Sequence, residues 1–159
     1  LKGFSRYASG QDRLLVLIDY TKPSTEKRFY ILDLLQKKLL LSTYVAHGRG
    51  SGDNYAVAFS NRPGSYQSSL GFFRTGDTYM GKNGYSLFLD GLEKGINDKA
   101  RERAIVVHGA NYADPAVLKG QQRLGRSLGC PALPPDISKQ VIDTIKGGVL
   151  LYIYGLNKA

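Results

Sequence analysis

Short apolar runs separated by turn-forming residues recur along the chain, and this pattern predicts a mostly β structure. The predicted strands cover residues 14–20, 28–34, 39–46, 85–89, 104–108 and 149–154. Residues 28–46 are expected to form a hairpin with a short polar tip. The glycines of residues 47–83 recur without helical spacing, so this region is predicted to be mostly loop, with residues 55–59 as its only strand candidate.

One helix is predicted near the C-terminus, where four apolar residues are spaced to form a single face. These residues are Ile137, Val141, Ile142 and Ile145. Pro-Pro-Asp at residues 134–136 is a start signal and the glycine pair at residues 147–148 is a stop signal. The fully apolar residues 149–154 then suit a central strand of the sheet. We find no internal repeat or linker, so residues 1–159 are expected to form a single domain.

The composition is that of a globular protein. Of the 159 residues, 42% are hydrophobic and 22% are charged. The longest uncharged apolar stretch, residues 147–156, is shorter than the roughly 17 to 25 residues that span a bilayer, so no membrane span is predicted. The formal charge is +9, but the basic residues are scattered and no nucleic-acid motif is present. An acidic polymer of another kind would satisfy this charge as well as nucleic acid would.

The single cysteine, Cys130, lies at the end of a polar loop between Gly129 and Pro131, which is not typical of a core residue. Arg123 and Arg126 precede it closely and are expected to favour the thiolate, which is the nucleophilic form. The N–H groups of Gly129 and Cys130 are candidate donors to an oxyanion, because glycine lets the backbone approach a substrate closely. The alternative is a small buried hydrophobic residue beside a turn.

Two histidines, His47 and His108, each end an apolar run and precede a glycine. A nucleophilic thiol needs a base, so each is a candidate, although a histidine at a strand end is more often a hydrogen-bonded structural residue. The two histidines and Cys130 would make three zinc ligands, but their spacing lacks the short paired intervals of such sites. The glycine-rich residues 48–52 lack the Lys-Ser/Thr ending of a phosphate-binding loop. We therefore predict no metal and no cofactor.

The sequence His-Gly-Ala at residues 108–110 and the sequence Gly-Arg-Ser-Leu-Gly-Cys-Pro-Ala at residues 125–132 carry a family resemblance. Together they resemble the His-Gly and Ser-x-Gly-Cys motifs of the L,D-transpeptidase catalytic domain (YkuD-like) family. Further blocks are similar to a divergent murein L,D-transpeptidase branch of that family, at residues 45–52, 59–61, 68–73, 84–87 and 97–100. The blocks follow the family's order and cover nearly the whole chain.

The resemblance implies a YkuD-like β-sandwich or barrel-like sheet with one C-terminal helix before a final strand. It implies that Cys130 attacks the carbonyl of the diamino-acid residue in a peptidoglycan stem tetrapeptide, that D-Ala leaves, and that an amine of a second stem resolves the thioester. His108 would be the general base, and the Gly109 carbonyl would orient its other ring nitrogen. Two alternatives stay open, namely L,D-carboxypeptidase hydrolysis of the same thioester and a non-catalytic cell-wall-binding module.

The chain departs from the common family pattern, which is Ser-His-Gly-Cys followed by an apolar residue and Arg. Leu128 replaces the His, and the Pro-Ala of residues 131–132 replaces the apolar-Arg pair. The carboxylate contact usually credited to that Arg therefore needs another residue. The candidate substrate-binding residues are Arg126, Arg123, Ser127 and His47. A peptidoglycan substrate would also give the +9 charge an anionic target and implies an exported, periplasmic or cell-envelope location. The sequence does not indicate an oligomeric state.

Overall fold

The computed structural model describes residues 3–158, and most of its regular structure is one eight-stranded sheet. The strands are β1 (Leu14–Asp19), β2 (Phe29–Asp33), β3 (Lys38–Thr43), β4 (Gly71–Gly81), β5 (Gly84–Gly91), β6 (Val106–Gly109), β7 (Ala132–Leu133) and β8 (Leu150–Tyr154). Two helices accompany the sheet, α1 (Phe4–Tyr7) and α2 (Pro135–Ile145). Three short 3-10 turns cover Arg49–Ser51, Asn111–Ala113 and Pro115–Lys119.

The sheet has the strand order β3-β2-β1-β8-β4-β5-β6-β7 and is nearly closed. Adjacent strands of the sheet are antiparallel, except that β1 is parallel to β8 and β6 is parallel to β7. Just beyond the edge strand β3, Ala46 pairs with Ala132 of the opposite edge strand β7. Because the two edges meet there, the sheet is barrel-like, and the predicted mostly β, barrel-like fold is confirmed.

The predicted C-terminal helix and final strand are also confirmed. Helix α2 buries three residues of the predicted apolar face against the sheet, namely Val141, Ile142 and Ile145. The fourth, Ile137, is half-buried and packs against the same core. Burying such side chains contributes about 1.5–3 kcal/mol each. The final strand β8 lies between β1 and β4 in the middle of the sheet. No helix within residues 3–158 combines the length and the hydrophobicity that crossing a bilayer requires.

The prediction for residues 47–83 was wrong at its C-terminal end, because β4 occupies Gly71–Gly81 and is the longest strand of the sheet. Its pairing with β5 shifts register between Thr75 and Thr78, and this irregularity breaks the alternation of apolar and polar residues that would have marked a strand. Residues 55–59, the one strand candidate of that region, are irregular. The two-residue strand β7 was not predicted either, since two residues show no period.

Candidate active site

Strands β6 and β7 bring His108 and Cys130 to the same part of the sheet. His108 pairs in register with Ala132, the first residue of the parallel strand β7. Cys130 lies two residues before Ala132, and the backbone N–H of Val106, two residues before His108, donates to the Cys130 sulfur at 3.4 Å. The pairing of two short strands therefore places the single cysteine beside the strand that carries His108.

The loop of residues 125–131, here the Cys130 loop, is fixed along residues 46–49. The N–H of Ser127 donates to the His47 carbonyl at 2.9 Å, and the N–H of Arg49 donates to the Ser127 carbonyl at 2.8 Å. Ala46 and Ala132 exchange backbone hydrogen bonds of 2.8 and 3.3 Å. The position of Cys130 thus depends on the segment that contains His47.

Two glycines allow these segments to approach closely. A Cβ on Gly48 would lie 2.9 Å from the Gly129 Cα, so a side chain there would force the two segments apart. Gly129 has φ +126°, a value that L side chains rarely adopt, and a Cβ on it would lie 2.9 Å from Ile105 Cδ1. The glycine before Cys130 is therefore required by both conformation and space.

The buried hydroxyl of Ser127 organises the Cys130 loop from within. It donates to the Cys130 carbonyl at 2.6 Å and accepts the N–H of Gly129 at 3.1 Å. The Gly129 N–H, a predicted oxyanion donor, is thus bonded to Ser127 in this structure, and its oxyanion role stays a prediction. The N–H of Cys130, in contrast, has no hydrogen-bond partner within residues 3–158. The substrate contact predicted for Ser127 stays a prediction.

The thiol of Cys130 is buried and turned towards the segment that leads into β6. It donates to the Ala104 carbonyl at 3.4 Å and accepts from the Val106 N–H. Burial raises the pKa of the Cys130 thiol, and the Val106 N–H and the positive charge of Arg103 offset part of that rise. The resting cysteine is therefore a protonated thiol at neutral pH.

The arginine that acts on the thiol is Arg103, so the prediction that Arg126 and Arg123 favour the thiolate was wrong. The Arg103 guanidinium lies beside Gly129, since a Cβ on that glycine would be 3.5 Å from Arg103 Nη2. It donates to the carbonyls of Ser60 and Gln67, each at 2.8 Å. These two contacts fix a cation against the Cys130 loop.

Arg126 and Arg123 instead face Asp53. Arg126 Nη1 lies 3.1 Å from Asp53 Oδ1 and donates to the Gly52 carbonyl at 3.3 Å. Arg123 Nε lies 3.9 Å from the same carboxylate, and its Nη1 donates to the Leu124 carbonyl. The carboxylate partly balances both cations, and their predicted role in binding a substrate carboxylate stays a prediction.

His108 is held at one ring nitrogen only. Its Nδ1 lies 2.9 Å from the Gly109 carbonyl, which is the predicted contact, and a carbonyl partner requires the proton on Nδ1. Nε2 has no partner within residues 3–158 and reaches solvent. Burial lowers the pKa of His108, so its ring is neutral at neutral pH with a lone pair on Nε2.

His47 is held at both ring nitrogens and is only 1% exposed. Arg28 Nη2 donates to His47 Nδ1 at 2.8 Å, and His47 Nε2 donates to the Gly52 carbonyl at 3.2 Å. Burial, and then the Arg28 charge, lower the pKa of His47 to about 4. The ring offers no free atom to a proton or to a substrate.

Metal binding gains no support from the geometry. No group of three or more His, Cys, Asp or Glu side chains in the described part of the chain, residues 3–158, is placed to hold a metal ion. His47, His108 and Cys130 therefore do not converge as the zinc alternative requires.

Comparison with known families decides the relationship. The family model described as L,D-transpeptidase catalytic domain (YkuD_2) matches residues 1–154. The chain belongs to this L,D-transpeptidase family. No curated protein sequence matches it.

Solved structures share the fold at low sequence identity, and two of the following three are named L,D-transpeptidases. An L,D-transpeptidase from Stackebrandtia nassauensis aligns with a TM-score of 0.55 at 15% identity, over 98% of this chain and 62% of that one. The helical cell shape determining protein Pgp2 from Campylobacter jejuni aligns with a TM-score of 0.60 at 16% identity, over 93% and 50%. LD transpeptidase LdtMt1 in complex with imipenem aligns with a TM-score of 0.52 at 14% identity, over 90% and 59%. The chain thus spans between half and two thirds of these relatives.

Three residues at this candidate site were not singled out from the sequence. Arg103 is separated from Cys130 by 27 positions, and Arg28 precedes β2, where an arginine ordinarily faces solvent. Tyr112 is the third, in the turn after His108; burial, and then the charge of Cys130, raise its pKa to about 12. Only Tyr112 had a local signal, since it closely follows the motif histidine.

Proposed function

We propose that this domain is a peptidoglycan L,D-transpeptidase that acts through a Cys130 thioester on stem tetrapeptides. The observation that carries the proposal is the placement of a single cysteine beside the strand of a histidine whose Nε2 has no hydrogen-bond partner among residues 3–158. Membership of the L,D-transpeptidase family supports the reaction class.

Both reacting groups are uncharged at rest, which favours general-base catalysis over a preformed thiolate–imidazolium pair. The thiol pKa is raised and the His108 pKa is lowered, so charge separation between them costs free energy before substrate arrives. As the sulfur leaves the Ala104 carbonyl and attacks the substrate carbonyl, its proton passes to His108 Nε2. The imidazolium formed keeps its Nδ1–H on the Gly109 carbonyl.

The same histidine returns the proton when the tetrahedral intermediate collapses. Nε2–H protonates the departing amine, the carbon–nitrogen bond breaks, and D-Ala leaves a thioester on Cys130. In the second half-reaction His108 takes a proton from the incoming amine of another stem, which displaces the sulfur and forms a cross-link between diamino-acid residues. The returning proton regenerates the thiol.

The oxyanion of each tetrahedral intermediate needs a hydrogen-bond donor. The Cys130 N–H suits this role, because it has no partner in residues 3–158 and belongs to the nucleophile itself. Gly129 would contribute only by giving up its bond to Ser127. We therefore assign the primary donor to Cys130.

Substrate and location follow from the same proposal. Stem peptides carry carboxylates and the cell wall is an extended anionic polymer, so a +9 chain gains local concentration with little specificity. A peptidoglycan substrate places the enzyme outside the cytoplasm, in the periplasm or cell envelope.

Mass spectrometry of products tests the proposal. After incubation with a disaccharide tetrapeptide, a cross-linked dimer and free D-Ala are expected. A tripeptide without dimer would assign L,D-carboxypeptidase activity, and unchanged substrate would favour a non-catalytic cell-wall-binding module. A carbapenem provides a second probe, since LdtMt1 was solved in complex with imipenem; we expect a stable adduct on Cys130.

A further inference from the structure

A cleft of about 470 Å³ borders Gly109, the residue after His108, and has no part in the steps above. It lies between the turn that joins β4 to β5, with Lys82 and Asn83, and residues 109–112. The beginning of α2 closes a third side with Pro135 and Ser138. Its volume is within the range of small-ligand sites.

The cleft presents hydrogen-bond donors that the protein leaves unused. The side chains of Lys82, Asn83, Asn111 and Tyr112 line it, and none has a hydrogen-bond partner within residues 3–158. The raised pKa of Tyr112 keeps its phenol protonated, and therefore a donor, at neutral pH. One cation, two amides and a phenol are a donor set suited to a carboxylate.

None of the described residues that line this cleft is acidic. The acid that approaches it, Asp143, is engaged by the Tyr85 hydroxyl and by Lys139. The Lys82 ammonium has no ion pair within residues 3–158, whereas Arg123 and Arg126 share Asp53. Lys82 is therefore a cation of this cleft whose charge no side chain within residues 3–158 balances.

The position of the cleft indicates which part of a substrate it faces. Its wall includes Gly109, whose carbonyl holds the His108 ring. The departing amine and the incoming amine exchange protons with the same His108 nitrogen, so both amines use the same side of the thioester. In the proposed reaction the departing amine belongs to D-Ala, whose D-configured carbon also bears a carboxylate, and an acceptor diamino acid with a carboxylate on its amine-bearing D-carbon presents the same group.

We propose that this cleft binds the carboxylate of a D-α-amino acid, with Lys82 as its cation, and that one site serves both the leaving D-Ala and the acceptor. The assignment to the two amines rests on the proposed function. The binding of a D-amino acid carboxylate does not, because it needs no chemistry at Cys130.

Nuclear magnetic resonance of the Cys130→Ala protein tests the site without turnover. D-Alanine is titrated while the backbone amide signals of residues 82–83 and 109–112 are followed, and D-alaninamide, which lacks the carboxylate, is the matched ligand. Saturable shifts with D-alanine and about tenfold weaker binding of D-alaninamide are expected, as for loss of one charge-assisted hydrogen bond. Lys82→Ala in the same background should remove that preference. Lys94→Ala, which removes one exposed lysine on a turn outside the cleft, should keep it.

The outcomes separate this inference from the proposed function. Equal binding of both ligands, or a preference that survives Lys82→Ala, overturns the site. If wild-type protein fails to turn over tetrapeptide but the carboxylate preference depends on Lys82, the site stands and the reaction must be reassigned. If cross-linking proceeds and Lys82→Ala leaves the KM values of donor and acceptor unchanged, the shared site is overturned while the transpeptidase proposal stands.

Discussion

His47 and His108 have nearly the same sequence context, Val-Ala-His-Gly and Val-Val-His-Gly, and both are buried. Their hydrogen bonds are opposite. His47 accepts at Nδ1 from Arg28 and donates from Nε2, so both nitrogens are used. His108 donates from Nδ1 to Gly109 and leaves Nε2 open. The two rings are therefore held as opposite tautomers: the lone pair of His47, on Nδ1, is occupied by Arg28, whereas the lone pair of His108, on Nε2, has no partner within residues 3–158 and can accept a proton.

This comparison shows which contact decides whether a buried histidine can act as a general base or has only a structural role. The difference comes from Arg28, a buried cation that donates to the Val45 carbonyl and to His47, and stacks over Tyr20 at 4.7 Å. Desolvation lowers the pKa of Arg28 to about 10, so it stays charged at neutral pH. A charged donor at Nδ1 opposes protonation of His47, and the backbone of that residue then serves to hold the Cys130 loop.

The largest expected effect is on the rate of Cys130 acylation, which should differ between variants of the two histidines. His108→Ala should slow acylation of Cys130 by roughly 10² to 10⁴-fold, which is the usual contribution of a general base. His47→Gln should slow it less than tenfold, because glutamine can accept from Arg28 and donate to Gly52. Stopped incubation with a carbapenem, followed by intact mass, measures both rates. A larger loss for His47→Gln in folded protein would reverse the assignment.

The second effect concerns stability against pH. His47 has a folded-state pKa of about 4 against an ordinary value of 6.5, so the folded protein binds fewer protons between these values. Its stabilising contribution is complete above pH 6.5 and is lost as the pH falls towards 4, by about 3 kcal/mol in total.

Urea unfolding at several pH values measures this contribution. Acidic groups with lowered pKa values also lose stability in acid, so the informative quantity is the difference between wild type and His47→Gln. The wild-type free energy of unfolding should fall more steeply between pH 6.5 and 4 than that of the variant. Parallel curves would show that His47 is not buried in its neutral form.

The smallest effect distinguishes the arginines. Arg103→Met should raise the apparent thiol pKa of Cys130, because it removes the cation that favours the thiolate. Arg126→Met, which removes a cation paired with Asp53, should leave it unchanged. The rate of iodoacetamide alkylation against pH gives both values, and Arg103→Lys should restore part of the shift. An effect of Arg126→Met alone would return the role to the arginine within the motif.

The parts of this fold that were predictable are those set by local pattern. The helix α2 has an uninterrupted apolar face between a Pro-Pro start and a Gly-Gly stop, and β8 is a fully apolar run. Strand β4 was not predicted, because the register shift in its pairing with β5 interrupts the alternation of apolar and polar residues along the strand.

The site residues also fall into those that a local motif predicts and those that depend on long-range contacts. His108, Gly109 and Cys130 lie in short motifs, and the resemblance drew on those motifs. Arg103 and the Arg28–His47 bond depend on contacts between residues far apart in the chain, which no local pattern records. The commitment of the Gly129 N–H to Ser127 is a matter of loop conformation, and the residue types alone allowed either orientation.

The most direct test of the central claim is the intact mass of the enzyme during turnover of disaccharide tetrapeptide. Wild-type protein should gain the mass of the donor minus D-Ala, located on the peptide that contains Cys130, and Cys130→Ala should show no adduct and no product. Product formed by Cys130→Ala, or an adduct that maps to another residue, would contradict a Cys130 thioester.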